Sequence, residues 1–164
     1  MIRRILVALD GSKRSPGVLR AAAEIAERFG ATLYPFRAIS VPPEFPPGAA
    51  SSHADPLLAL MTDEAVAATL DLTKTVGKAD VQAPIVKVGQ SWRMILEASE
   101  ELDVDLIVVG SHGYHGLDRV LGTTAGKVAN VARRNVLVIH DREESPRAPP
   151  SSATSLEGKP KGAP

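Results

Sequence analysis

Three short, uninterrupted apolar runs constrain this chain more than anything else in it: Ile5-Leu-Val-Ala-Leu9, Leu106-Ile-Val-Val109 and Val136-Leu-Val-Ile139. Each is too short for a helix and too apolar for a strand with one wet face, so each reads as a strand covered on both sides. Two further segments, Thr32 to Ile39 and Val81 to Val88, also read as strands. Each contains a proline, Pro35 and Pro84, which cannot donate to a ladder and belongs at an edge or a bulge.

Helical stretches lie between the strands. The first spans Ser15 to Phe29, with Ser15 suited to cap it, Pro16 to its first position and Gly30 to its exit. Val18, Ala22, Ile25, Ala26 and Phe29 then share a face. A second runs from Pro56 to Val76 and ends at Gly77. Leu57, Leu60, Met61, Glu64 and Ala68 give it only an imperfect stripe. A third runs from Trp92 to Leu102, with Ser91 as its cap and Trp92, Ile95, Leu96 and Ser99 on one side. A fourth starts at Thr124 and reaches Ala132. Strand and helix alternate and a strand closes the series. That pattern predicts an α/β protein with a doubly wound five-stranded parallel sheet and helices on both faces.

The rest of the chain supports one domain. Its 164 residues suffice for a single core. Lys plus Arg number 19, as do Asp plus Glu, so no basic surface points to nucleic acid or an anionic membrane. The absence of cysteine excludes disulfides, thiolate nucleophiles and zinc–cysteine sites. The apolar part of the N-terminus is too short for a signal peptide, and no run approaches the roughly 18 apolar residues that span a bilayer. A cytoplasmic protein is the expectation. Val41 to Pro56 is a proline-rich connection. From Arg142 onward the chain has five prolines, one leucine and no aromatic residue, which predicts a disordered tail over 142–164 after a domain of 1–141.

Between the apolar run ending at Val109 and the helix at Thr124 lies Gly110-Ser-His-Gly-Tyr-His-Gly-Leu-Asp-Arg-Val-Leu-Gly-Thr-Thr124. A glycine-rich turn between strand and helix leaves backbone N–H groups free near a helix N-terminus, which suits a phosphate. In a sheet of order 3-2-1-4-5, strands one and four are neighbours. Asp10 and Gly110 then meet where ligands of doubly wound sheets bind. Gly110 and Gly113 permit close backbone approach or a positive φ. Gly122, Thr123 and Thr124 offer N–H groups and hydroxyls to phosphate oxygens, and Asp10 suits a ribose or a Mg²⁺ bridging phosphates. The plainer alternative is that the glycines make tight turns and Asp10 caps the first helix region. Gly122-Thr-Thr-Ala-Gly-Lys-Val128 is no P-loop, since one residue is missing between its glycines and Val128 stands where a hydroxyl should bind Mg²⁺. No G-x-G-x-x-G follows the first strand.

Four motifs in these places resemble the universal stress proteins: Ile5-Leu-Val-Ala-Leu-Asp-Gly-Ser12, Asp105-Leu-Ile-Val-Val-Gly-Ser-His-Gly113, Gly122-Thr-Thr124 and Asn135-Val-Leu-Val-Ile-His140. The resemblance covers Ile2 to His140. Its ATP-binding branch carries Gly-x2-Gly-x9-Gly-Ser/Thr. Gly110, Gly113, Gly122 and Thr123 match it, with a second gap one residue shorter. The resemblance implies a flavodoxin-like fold of strand order 3-2-1-4-5 that binds ATP, ADP or AMP with Mg²⁺. The implied contacts are Ala8, Asp10, Ala38, Gly89, Gly110, His112, Gly113, Gly122, Thr123 and Thr124. Asp10 lies on the ribose and metal side, and Ala38 offers its backbone to adenine. It further implies a homodimer through Val136 to Ile139, an apolar edge strand.

Other residues have ordinary readings beside their sharper ones. His112, His115 and Asp118 could be drawn as a metal site, but a glycine turn preorganises ligands poorly, and loop histidines beside phosphates are the favoured reading. Arg119 and Lys127 could neutralise a triphosphate or lie on a solvated surface. Trp92 reads as core or interface packing, and His53 and His140 carry no readable role. No catalytic constellation stands out. A stress-response regulator or chaperone-like factor is expected, with a slow Mg²⁺-dependent ATPase and a dimeric interaction protein without nucleotide as alternatives.

Overall fold

The structure, a computed structural model, describes residues 1–40, 56–111 and 122–140. The proline-rich connection 41–55 and the expected tail 142–164 lie outside these. The elements are β1 (Arg4–Leu9), α1 (Ser15–Phe29), β2 (Thr32–Ile39), α2 (Pro56–Thr73), β3 (Asp80–Val81), β4 (Ile85–Val88), α3 (Ser91–Glu101), β5 (Leu106–Gly110), α4 (Thr123–Val131) and β6 (Asn135–Ile139).

All strand pairs are parallel, in the order β3-β2-β1-β5-β6, with β4 continuing beside β2. The expected third strand, Val81 to Val88, is therefore two short strands along one edge. Thr32 and Leu33 pair with Asp80 and Val81, and pairing resumes only at Phe36 with Ile85. Tyr34 and Pro35 thus face the three residues Gln82, Ala83 and Pro84, so both prolines sit at one break in the ladder. Counted as one interrupted strand, β3 and β4 give the expected order 3-2-1-4-5. That is a flavodoxin-like α/β sheet.

Alternation along β1 sorts the core into two layers. Ile5, Val7 and Leu9 pack with Leu33, Leu106 and Val108 against Val18, Leu19, Ala22, Ala23 and Ala26 of α1. Leu6 packs with Phe36, Ile107 and Val109 against Ile95 and Ala98 of α3 and Ala125 and Val128 of α4. Partly buried Leu72 of α2 joins the α1 layer. Trp92 packs against the opposite layer, with the Arg93 and Lys127 cations 5.2 and 5.6 Å from its ring centroid. Lys127 lies on the ring, in keeping with a surface position.

Four local expectations are corrected. Phe29, in the last turn of α1 at the rim of the sheet, is 56% exposed, while Leu19 and Ala23 complete the buried face. Helix α2 buries Leu58, Ala65 and Thr69, and leaves Leu57 and Leu60 half in solvent. It ends at Thr73, because Lys74, Thr75 and Val76 donate to carbonyls three residues back instead of four. Neither Ser15 nor Ser91 caps its helix; each is the first helical residue, after Arg14 and Gln90, which provide no side-chain cap. Among the described residues no helix is long and apolar enough to cross a membrane.

One carboxylate ties the N-terminal rim of the sheet together. Asp105 Oδ2 accepts hydrogen bonds from the N–H groups of Arg3 and Arg4, at 2.7 and 3.0 Å. The Asp105 N–H donates to the Arg4 carbonyl at 2.9 Å, and Asn135 Nδ2 donates to the Asp105 carbonyl at 3.1 Å. The Arg3 and Arg4 donors hold this carboxyl below its ordinary pKa. A lowered folded-state pKa stabilises above the unfolded value of about 3.9, and the gain is lost as pH falls through the folded value. Asp105→Ala is expected to lower the melting temperature at pH 7. The gap from the parent should narrow as acid protonates the parent's carboxyl, which thermal unfolding at pH 7 and pH 3 would read.

Candidate functional site

The C-terminal ends of β1 and β5 lie side by side, with Ala8 paired to Val109. Beyond them opens a cleft of about 610 Å³. Its walls include Ala8, Asp10, Ser12, Arg14 and Ser15 from β1 and the turn into α1, and Phe36 and Ala38 from β2. Gly110 ends β5 and Ser111 follows it, and Gly122, Thr123, Thr124 and Ala125 open α4. The turn after β1 and the end of β5, a hundred residues apart in sequence, thus border one site with the start of α4, as strand order requires.

The turn after β1 is built around Asp10. Its Oδ1 accepts the Ser12 N–H at 2.9 Å and the Ser15 hydroxyl at 2.8 Å, and Ser15 Oγ in turn accepts the Gly11 N–H at 3.1 Å. Ser15 is 3% exposed, so its hydroxyl is fixed, and Asp10 is fixed with it. The Asp10 side chain therefore organises this turn as well as bordering the cleft. Gly11 has φ +74°, where a β-carbon would be strained, and the Arg37 guanidinium packs over it.

The opposite wall is the start of α4. Gly122 is its N-cap, and among the described residues no side chain caps the first turn. The leading N–H groups of a helix have no partner within it, so those beside Thr123 and Thr124 border the cleft uncapped. Gly110 does not adopt a positive φ. It is small for another reason: a β-carbon there would lie 3.0 Å from Val18 Cγ2, so glycine lets α1 close onto the end of β5.

Of the expected contacts, Ala8, Asp10, Ala38, Gly110, Gly122, Thr123 and Thr124 all line the cleft. Gly89 does not. Its N–H donates to the Ile39 carbonyl at 2.8 Å, and at φ +149° it turns the chain into α3 against Met94. His112 and Gly113 lie outside the described residues, as do His115, Asp118 and Arg119. Sequence reasoning missed Ser91, Ser111 and His140, which the fold brings to the rim. Only the strand-end position of Ser111 and His140 hinted at this. Asp10 is the one carboxylate among the described lining residues, and no group of three metal-type ligands occurs among the described residues.

Shifted ionisations lie elsewhere. Lys87 of β4 binds Glu97 and Glu101 of α3, at 3.0 and 2.7 Å. Burial pulls the Lys87 pKa down, but the hydrogen bonds to Glu101 and Glu97 outweigh it, and the result is raised. These contacts fasten α3 to the edge of the sheet behind the cleft.

The sequence and the fold agree with one family. Residues 1–140 match the model of the universal stress protein family. The chain belongs to this family. It is 37% identical over 142 residues to universal stress protein A homolog 1 of Coxiella burnetii, spanning 86% of this chain and 98% of that relative. The universal stress protein UspA from Lactobacillus plantarum superposes with a TM-score of 0.66 at 25% identity, over 84% of this chain and 97% of that one. A universal stress protein in complex with cAMP superposes with a TM-score of 0.60 at 27% identity, over 85% of this chain and 97% of that one.

The Ser15 hydroxyl carries a testable share of this universal stress protein's stability. Ser15→Ala removes the acceptor of the Gly11 N–H and one donor to Asp10 Oδ1, part-buried bonds worth about 0.5–1.5 kcal/mol each. Urea denaturation would read it, and an unchanged midpoint would refute the role assigned to Ser15.

Proposed function

We propose that this universal stress protein binds an adenine nucleotide in the cleft between the β1 turn and α4, with ATP and Mg²⁺ as the principal form and ADP or AMP as alternatives. The observation that carries the reading is the convergence of Asp10, Ala38, Gly110 and the uncapped start of α4 on one cavity. A cavity of about 610 Å³ falls in the ordinary range for small-molecule sites. The solved family member in complex with cAMP adds support from a relative.

Each wall suits one part of the ligand. Uncapped N–H groups and the hydroxyls of Thr123 and Thr124 take phosphate oxygens, and the helix dipole favours their charge. Asp10, oriented by Ser12 and Ser15, faces a ribose hydroxyl. The Ala38 backbone edge, at the end of β2 beside Phe36, takes the adenine. His112 and Gly113 complete the phosphate turn in this reading. Gly89 acts from behind, by placing α3. A Mg²⁺ here would be held by Asp10 together with ligand phosphates and water, which matches the few protein ligands that Mg²⁺ takes; the ion would neutralise phosphate charge.

The function that follows is nucleotide-dependent regulation or chaperone-like stress protection in the cytoplasm, by a homodimer joined along β6. Hydrolysis would require a group that orients water. Asp10 Oδ1 already serves Ser12 and Ser15, so the cleft favours holding a nucleotide over cleaving it. The family match ending at residue 140 supports a domain of 1–141, and the composition beyond supports a tail.

Denaturing the purified protein is expected to release adenine nucleotide, and calorimetry of the stripped protein to show ATP and AMP binding. Neither release nor binding would sink the proposal. Thr123→Val with Thr124→Val removes two hydroxyls from the cleft wall, one exposed and one partly buried, and is expected to weaken ATP binding about tenfold or more. Unchanged affinity would show that the phosphates lie elsewhere. Light scattering is expected to give the mass of two chains, and a single-chain mass would remove the β6 contact.

A further inference from the structure

A second recess, of about 410 Å³, opens beside the cleft between β2 and α2. Its lining includes Asp10, Arg37, Ala38, Ser40 and Glu64. It shares only Asp10 and Ala38 with the cleft. It therefore branches from the ribose and adenine end and not from the start of α4.

Arg37 dominates its chemistry. Strand alternation turns Phe36 into the α3 and α4 layer, and Arg37 to the opposite face. There its guanidinium lies over Gly11, close enough that a β-carbon on that glycine would sit 2.6 Å from Nη2. The side chain is partly buried. Yet among the described residues it makes no hydrogen bond or ion pair, although Glu64 lines the same recess. Two further partly buried cations among the described residues, Lys87 and Arg134, are each paired to two carboxylates. A half-desolvated guanidinium without a carboxylate is costly unless something else meets it, and its planar fork matches a phosphate.

We infer that Arg37 is a specificity-determining residue for adenine nucleotides that carry a phosphate on a ribose hydroxyl, in addition to those at the 5′ position. The inference rests on the nucleotide reading above. With the 5′ phosphates at α4 and the base at Ala38, the ribose lies beside Asp10, and its 2′ and 3′ substituents enter the recess that Arg37 lines. Asp10 then accepts one ribose hydroxyl, and the guanidinium meets the phosphate on the other. Glu64, exposed on α2, opposes that phosphate as a like charge.

Calorimetry of the nucleotide-stripped full chain with AMP, adenosine 2′,5′-bisphosphate and adenosine 3′,5′-bisphosphate tests this. At least one bisphosphate is expected to bind about tenfold tighter than AMP, about 1.4 kcal/mol. Comparing the two identifies the hydroxyl. Arg37→Gln is expected to bring the ratio of bisphosphate to AMP affinity to within about twofold of one. Glu64→Gln, at an exposed helix position, is expected to raise that ratio. Bisphosphates that bind no better than AMP would overturn the role of Arg37 while leaving the nucleotide site standing. So would a preference that survives Arg37→Gln, or a ratio that Glu64→Gln leaves unmoved. If neither AMP nor ATP binds, the nucleotide reading falls, and this inference with it.

Discussion

The pairing of β1 with β5 is the constraint on which the rest of this molecule depends. Both strands are buried on both faces, with Ile5, Leu6, Val7, Ile107 and Val108 fully removed from solvent. Such strands are stable only with helices on each side, so α1 must take one face while α3 and α4 take the other. Because β1 and β5 are parallel and adjacent, their C-terminal ends open at the same rim. The turn carrying Asp10 and the end of β5 at Gly110 are brought together by the burial of these two strands. Chemistry at the cleft is a by-product of where these two strands stop.

The ends of the sheet are finished differently. At the N-terminal rim, Asp105 satisfies the leading N–H groups of β1, at the opposite end of the sheet from the cleft. At the C-terminal rim, Asp10 does similar local work for the turn into α1, yet it also borders the cleft. A carboxylate pinned by Ser12 and the buried Ser15 offers a ligand a preset direction and little freedom to follow it. That suits recognition, where low reorganisation counts, more than proton transfer, where a carboxylate must change partners.

Much of this was legible in the residues. Helix α1 was read with its observed limits, because Pro16 and Gly30 mark its two ends chemically. The apolar runs of β1, β5 and β6 were legible because doubly buried strands leave little ambiguity. The split of β3 from β4 was not, because Pro84 signals an edge but only its position opposite Pro35 shows a break. Phe29 and Leu57 misled because periodicity assigns a face without saying where the sheet beneath it ends. At the site, Asp10, Gly110 and Gly122 to Thr124 were legible from strand ends and turn chemistry. Ser15 was recognised as a helix-start residue, but its bond to Asp10 depends on how tightly the turn folds back. Ser91 and His140 reach the rim through tertiary paths that no local pattern records, and Arg37 gains meaning only from its place over Gly11.

The break at Pro35 and Pro84 also bears on assembly. A sheet has two borders, and here they are unequal: β6 runs unbroken from Asn135 to Ile139, while the far border is interrupted between Val81 and Ile85. A chain with two intact borders can add copies at both and grow without limit. With one border intact among the described residues, an edge-to-edge pair of copies would use the uninterrupted template of each, and growth would stop there. The break opposite Pro35 thereby leaves the β3–β4 border a poor template for adding a further strand.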